Sequence, residues 1–280
     1  MDAQQTVHMN PGEGETSYAR NSTFQSAEQM RMKPQIKEAI MKLCDNSTTL
    51  PRNMVIADLG CSCGPSALTL VSAAVNAIHR QCLELQQRPP ELSLLLNELP
   101  SNDFNTTVKH LVAFQERKNI DKGEHGFSPF VMTSIVPGSF YGRLFTTGSV
   151  HLVLSSNSLH WLSKGVLDKQ KMKAFYIPLY SPSEKEVKEV IEEQGSFSIE
   201  ELQVHDSIAG VNKAVISPKM IAYGLRACFE PIIQDHFGSS GELMDAFINT
   251  EEKFISQALL QNELTKNPRV FFALSLERQS

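Results

Sequence analysis

Two acids flank a small-residue turn in the N-terminal half of the chain, in an order that suits a nucleoside. The run Val55-Ile-Ala-Asp-Leu-Gly-Cys-Ser-Cys-Gly64 is apolar, reaches Asp58, and then breaks into glycines and cysteines. Gly60 and Gly64 let the backbone turn sharply and approach a ligand closely, and a helix starting just beyond would offer free N–H groups. A second apolar run, Leu92-Ser-Leu-Leu-Leu-Asn-Glu98, ends in another acid more than one helix length downstream. In a βαβ unit the acid that closes the second strand faces the ribose hydroxyls of a bound nucleoside. Each feature also has a plainer reading. Glycine turns occur in α/β proteins for geometry alone, and each acid could simply end a strand and cap the segment after it.

Such residues need a strand, a turn and a helix to hold them, and the hydrophobic pattern supplies all three. The run to Asp58 followed by the amphipathic stretch from Pro65 to Gln86 reads as a buried strand feeding a helix. Helix is expected from about Gln25 to Leu43, then strand 54–58, helix 65–86, strand 92–97 and helix 102–117. Strands follow near 130–135 and 150–155, and Ser183-x-x-Glu186 is a capping-box signal for a helix to about Glu193. A strand near 197–204, helices near 216–236 and 241–262, and a terminal strand Arg269–Ser275 complete the pattern. The expectation is a single α/β domain over residues 1–280, with a polar, Gly-containing arm at 1–24 and a cofactor-binding half at 25–164.

Composition narrows the partners. The 280 residues are 41% hydrophobic, as one globular α/β domain requires, and the formal net charge of −5 gives no basic field for nucleic acid. No uninterrupted apolar stretch would span a bilayer, and the polar first residues lack a signal-peptide pattern. The expected location is therefore cytoplasmic, with the five cysteines as reduced thiols. Cys61 and Cys63 have no second pair nearby, which argues against zinc. Asn21, Asn46 and Asn105 head glycosylation-type triplets that a cytosolic chain would not present for modification.

Five blocks then carry a resemblance. They are Asn10–Gln25, the Asp58-Leu-Gly-Cys-Ser-Cys-Gly-Pro65 turn, Asn97–Asn105, Val136–Phe145 and Ser155–Ser163, in that order. Together they resemble the plant SABATH methyltransferases, which move a methyl group from S-adenosylmethionine to a carboxyl group of salicylate, benzoate, jasmonate or indole-3-acetate, or to a xanthine nitrogen. The likeness continues through Phe175–Ser183, Gly195–Ile199 and Arg226–Gly238, nearly end to end. It implies a Rossmann-like class I methyltransferase sheet with a helical cap, a small carboxylic acid as partner, and a possible homodimer.

One departure is large. In the family a long capping segment, a helix and another sheet strand follow the His-Trp-Leu-Ser-Lys block. Here Lys164 runs straight into Gly165-Val-Leu-Asp-Lys169. The gap is roughly 80 residues, more than two supersecondary units of about 30 residues each. The chain is expected to lack one central strand–helix unit and most of the cap, leaving a shortened cap and C-terminal half at 165–280. The lost strand would lie beside strand 150–155, so the terminal hairpin must slide inward or leave an open edge. The shortened chain is expected to be compromised relative to the family.

The resemblance assigns site residues. Tyr18 and Ser22 from the arm, Asp58, Gly60, Cys61 and Ser66 at the turn, Glu98 and Leu99 after the second strand, Ser139 and Phe140 after the third, and Asn157 would line the S-adenosylmethionine pocket. Glu98 would hold the ribose, Phe140 would lie on the adenine, and Ser139 would bond its edge. Core packing is the plainer reading of Phe140, and service to the turn that of Ser139. Ser66 stands where the family usually has Asn, Glu98 where Asp is usual, and Asn157 where Tyr is usual. The last change removes an aromatic wall.

Gln25, His160 and Trp161 form the expected acceptor site. A carboxamide and an indole N–H are both donors suited to gripping a carboxylate. His160 has a structural reading beside its acceptor role, and Trp161 could instead be a core anchor. No residue is assigned to proton transfer, since positioning suffices for an acid already ionised. Some family members carry a magnesium-type site, but here its Asp-x-Phe-Asn stretch reads Lys173-Ala-Phe-Tyr176, so no metal is expected. The functions in view are a carboxyl methyltransferase and a shortened, impaired chain that at most binds cofactor or pairs with full-length relatives. A xanthine-type N-methyltransferase ranks below both.

Overall fold

The computed structural model describes residues 8–45, 50–120, 128–158, 181–206, 216–237, 241–260 and 270–279. The chain divides into two compact units, Met1–Ser158 with Gly224–Ile232, and Leu159–Tyr223 with Ile233–Ser280. The helices are α1 (Tyr18–Asn21), α2 (Thr23–Asp45), α3 (Thr69–Glu84), α4 (Phe104–Ile120), α5 (Glu184–Gln194), α6 (Pro218–Phe237) and α7 (Gly241–Leu260). The strands are β1 (Asn53–Leu59), β2 (Glu91–Glu98), β3 (Val131–Pro137), β4 (Leu152–Ser155), β5 (Phe197–Asp206) and β6 (Val270–Arg278).

The first unit is built on a parallel sheet of four strands in the order β3-β2-β1-β4. Its strands read as apolar runs because a parallel sheet is covered on its faces. Met54 and Ile56 of β1 and Leu92, Leu94 and Leu96 of β2 are at most 1% exposed. Helix α3 answers them with Leu70, Val71, Ala74, Val75 and Ile78, a helical stripe, and α2 adds Ile36, Ile40 and Cys44. The expected helix from residue 65 begins one turn later. Pro65–Leu68 is a 3₁₀ turn, in which Pro65 occupies the first positions and Gly64 ahead of it holds φ +83°. Chain order reverses at β1, which has β2 on one side and β4 on the other. In open parallel sheets ligands bind at such a switch point, beyond the carboxyl ends of the strands.

Strand β4 has β1 as its only ladder partner among the described residues. In the second unit β5 and β6 pair antiparallel in a two-stranded sheet of their own, with a bulge between Ile199 and Glu201. Among the described residues β5 and β6 have ladder partners only in each other. The capping box is present: the Glu186 amide donates to Ser183 Oγ, and the Ser183 amide donates to Glu186 Oε2. Gly195, at φ +71°, closes the same helix. Among the described residues no helix is long and apolar enough to cross a membrane.

Candidate functional site

The carboxyl end of β1 is held from both neighbouring strands. Gly60 and Cys61 both donate backbone N–H bonds to the Asn97 carbonyl, each at 3.0 Å. The Ser62 amide donates to Glu98 Oε2 at 3.1 Å, and Asn102 Nδ2 donates to the Ser62 carbonyl at 3.0 Å. On the other side Ser155 and Ser158 hydroxyls donate to the Leu59 carbonyl at 3.0 and 3.2 Å. A Cβ on Gly60, which sits at φ +72°, would lie 2.4 Å from Ser158 Cβ and 3.7 Å from the Phe140 ring. Glycine is therefore required twice over, by backbone conformation and by space. Gly64 has the same need, since a Cβ there would stand 2.6 Å from Ala19 Cβ of α1.

That last contact shows what the N-terminal arm does. Its Gly12 amide donates to Asp103 Oδ2 at 2.8 Å, and its Asn10 amide donates to the Ala227 carbonyl of α6 at 2.9 Å. Asn10 Nδ2 also reaches Glu230, which is paired with Arg226 at 2.9 Å on the same helix. Asp103 in turn caps α4 by accepting from the Thr106 amide and hydroxyl. The arm is thus strapped over the glycine turn from α4 to α6, and Tyr18 is buried beneath it against Cys63 and Ala227.

Two acids share the turn. Asp58 is 2% exposed, and burial, then the charge of Glu98, push its carboxyl well above the ordinary range. Burial also raises Glu98, although the Leu99 and Ser62 amides that donate to it resist the rise. A carboxylate offers about four acceptor directions, so Glu98 keeps two for a ligand. Burial likewise raises the thiol of Cys61, with the two acids adding to it, so it stays a thiol and is no nucleophile.

Asp58, Gly60, Cys61, Glu98, Leu99 and Phe140 therefore meet around one turn. Ser66 is buried one turn on, with its hydroxyl donating to the Cys63 carbonyl at 3.5 Å. Ser22, also buried, ends α1. Ser139 is exposed and its Oγ accepts from the Tyr141 amide, the turn service that was its plainer reading. Asn157 lies at φ +56° and hydrogen-bonds Glu28 of α2, which ties that helix to the end of β4. Gln25 donates from Nε2 to Cys228 Sγ at 3.7 Å, and its Oε1 is buried without a partner. His160 and Trp161, like the Lys164–Gly165 junction and Lys173–Tyr176, lie outside the described residues.

Several residues at the site were absent from the expected set. Asn97 is fully buried; its carbonyl fixes the turn while Nδ2 donates to the Val136 and Gly138 carbonyls, both at 2.8 Å. A polar residue closing an apolar run was the available signal. Asn102, Ser158 and Cys228 gave none, because each acts on a partner distant in sequence.

A parallel sheet with a clamped glycine turn at its switch point is an α/β arrangement suited to a nucleoside cofactor, and comparison narrows the class. The family described as SAM-dependent carboxyl methyltransferase matches residues 4–165 and 163–279. This chain belongs to that family, whose methyl donor is S-adenosylmethionine. Jasmonate O-methyltransferase of Arabidopsis thaliana is 29% identical over 374 residues, covering 92% of this chain and 95% of that protein. A benzoic acid/salicylic acid carboxyl methyltransferase of Petunia hybrida is 29% identical over 349 residues, with the same coverages. The solved structure of loganic acid methyltransferase with SAH superposes with a TM-score of 0.78 at 20% identity, over 97% of this chain and 99% of that one. The fold is thus that of a methyltransferase. An alignment spanning 374 residues on a chain of 280 places the shortening inside the chain. The two family segments meet at 163–165, where the sequence departs from the SABATH pattern.

The residues present suit the cofactor. Glu98 retains acceptor capacity for ribose hydroxyls, and Phe140 offers a ring beside Gly60.

Proposed function

We propose that this chain transfers a methyl group from S-adenosylmethionine to the carboxylate of a small aromatic or plant-hormone acid, giving a methyl ester. The observation that carries the reading is the glycine turn, clamped through Ser62 by Glu98 and Asn102 with Phe140 beside Gly60. The relatives that act on jasmonate and on benzoic or salicylic acid support the class of acceptor. When bound, S-adenosylmethionine supplies an electrophilic methyl group on a sulfonium.

The chain's own task is positioning. A carboxylic acid of pKa about 4 is ionised at neutral pH, so no side chain has to remove a proton. Glu98 would hold the ribose and Phe140 the adenine, while Tyr18, Ser22, Asp58, Gly60, Cys61, Ser66, Leu99, Ser139 and Asn157 complete the cofactor pocket. Gln25, His160 and Trp161 would hold the acceptor carboxylate in line with methyl and sulfur, in a site closed to water. No metal is needed for this chemistry.

A second reading is favoured by one observation: β4 lacks a second ladder partner among the described residues. On that reading the chain binds cofactor but turns over poorly, or pairs with full-length relatives. Two measurements on the purified chain separate the readings. Calorimetric titration with S-adenosylhomocysteine should give saturable micromolar binding, and no binding by a compact chain would reject the first reading and leave the impaired chain, at most a partner of full-length relatives. Transfer of labelled methyl groups to salicylate, benzoate, anthranilate or jasmonate at an enzyme-like rate would support the first; binding without transfer would leave the second. Transfer to a xanthine nitrogen alone would replace both.

A further inference from the structure

We propose that Cys228 is a positioning residue for the acceptor: its thiol holds the Gln25 carboxamide and lets it turn its N–H groups toward the substrate carboxylate. The proposal rests on the reading of Gln25 as an acceptor contact, and it adds a residue of α6 to that contact.

The Gln25 carboxamide spends an N–H on a sulfur and leaves its oxygen unpaired. Gln25 Nε2 donates to Cys228 Sγ at 3.7 Å, and Oε1 is left buried without a hydrogen bond. A buried acceptor without a donor is unfavourable, and a carbonyl oxygen cannot hold an anion as the N–H groups can. A half-turn of the carboxamide about its last torsion exchanges the two groups. Oε1 then meets the sulfur, and both N–H bonds become available to the substrate.

What the partner must do in each state limits its chemistry. With the amide nitrogen against it the partner must accept; with the amide oxygen against it the partner must donate. A thiol does both weakly, whereas an alkyl side chain does neither. Burial pushes Cys228 up to about 12, so its S–H is present across the neutral range. Around it lie Tyr18, Cys63, Ala227 and Met9, an apolar cluster in which a charged partner would be costly. The weakness of the S–H bond is useful, because the amide has to change orientation when the acid enters.

The test uses the full chain saturated with S-adenosylhomocysteine, titrated calorimetrically with salicylate, benzoate, anthranilate and jasmonate. For the acid that binds, Cys228→Ala and the better-filling Cys228→Val should each weaken binding about tenfold, the size of one hydrogen bond. Affinity for S-adenosylhomocysteine should stay unchanged. Cys228→Ser should remain within about twofold of the parent, because a hydroxyl also donates and accepts. Gln25→Met should weaken the acid as much, and adding Cys228→Val to it should cost nothing further. The proposal is overturned if both apolar variants bind acid normally while Gln25→Met does not, which leaves the Gln25 reading standing. It is also overturned if cofactor and acid affinities fall together, the mark of a packing role. If the parent binds none of the acids, the Gln25 reading falls and takes this one with it.

Discussion

In β2, Leu92, Leu94 and Leu96 are at most 1% exposed, whereas in the β5–β6 hairpin Phe197, Val204, Val270 and Leu276 stand between 41% and 51% exposed. Both regions are paired along their strands, the hairpin with a single bulge. The difference is cover. The parallel strands have α2 and α3 packed on their apolar residues within their own unit. The hairpin lies beyond the 163–165 junction, and several of its large apolar side chains stand in solvent. Hydrogen bonding and burial are thus separable: the ladder of a hairpin can be complete while its apolar side chains stand in solvent. Exposed apolar surface of this kind is a liability for association.

The sharpest way to break the contrast is at Gly60. Gly60→Val should abolish S-adenosylhomocysteine binding, at least a hundredfold, and lower stability by roughly 2–4 kcal/mol, since it adds strain at positive φ and a clash with Ser158. Normal binding by that variant would show that the turn is not the cofactor site. Next comes Glu98→Ala, which frees the Ser62 amide and removes the ribose acceptor; calorimetry should report a ten- to hundredfold loss, about 1.4–2.8 kcal/mol. Asn97→Leu should act on stability first. It strips the side-chain donor from the Val136 and Gly138 carbonyls at the end of β3, so urea denaturation should show a loss of about 1–3 kcal/mol in the first unit.

Two acids should respond to pH in opposite senses. Burial opposes the charge of Asp103, but bonds from Thr106 and Gly12 and the nearby Lys109 outweigh it and hold the carboxyl below its ordinary 3.8. Its contribution is complete above that value and is lost as pH falls through the lowered folded-state value. Glu98 is raised above 4.5, so its contribution is complete below 4.5 and is lost as pH rises through the raised value. Urea midpoints of Asp103→Asn should therefore converge on the parent in strong acid. Those of Glu98→Gln should improve against the parent as pH rises from about 4 toward neutrality, beginning at the ordinary carboxylate range. Parallel curves for both variants would contradict the assignment. The smallest expected effect tests the hairpin: Val204→Lys with Val270→Glu should lower dye binding to apolar surface and leave cofactor affinity unchanged.

The sequence alone determined the elements of the cofactor half and their type. An apolar run ending in Asp58, a glycine pair and an amphipathic stretch specify strand, turn and helix by local periodicity, and β1, α3 and β2 formed where those patterns lay. The Ser183–Glu186 capping box was equally legible, because both partners sit within one helical turn. The break at Lys164–Gly165 could be read too, from a block order that the family segments meeting at 163–165 match. Tertiary structure decided the rest. Asn97 as the hub of the turn, the strap from Asp103 through Gly12 to Glu230, and Gln25 facing Cys228 join residues that lie far apart along the chain. Periodicity reports which face of an element is apolar, but not which distant donor meets which acceptor. That pairing is fixed only when the sheet has brought the ends of its strands together.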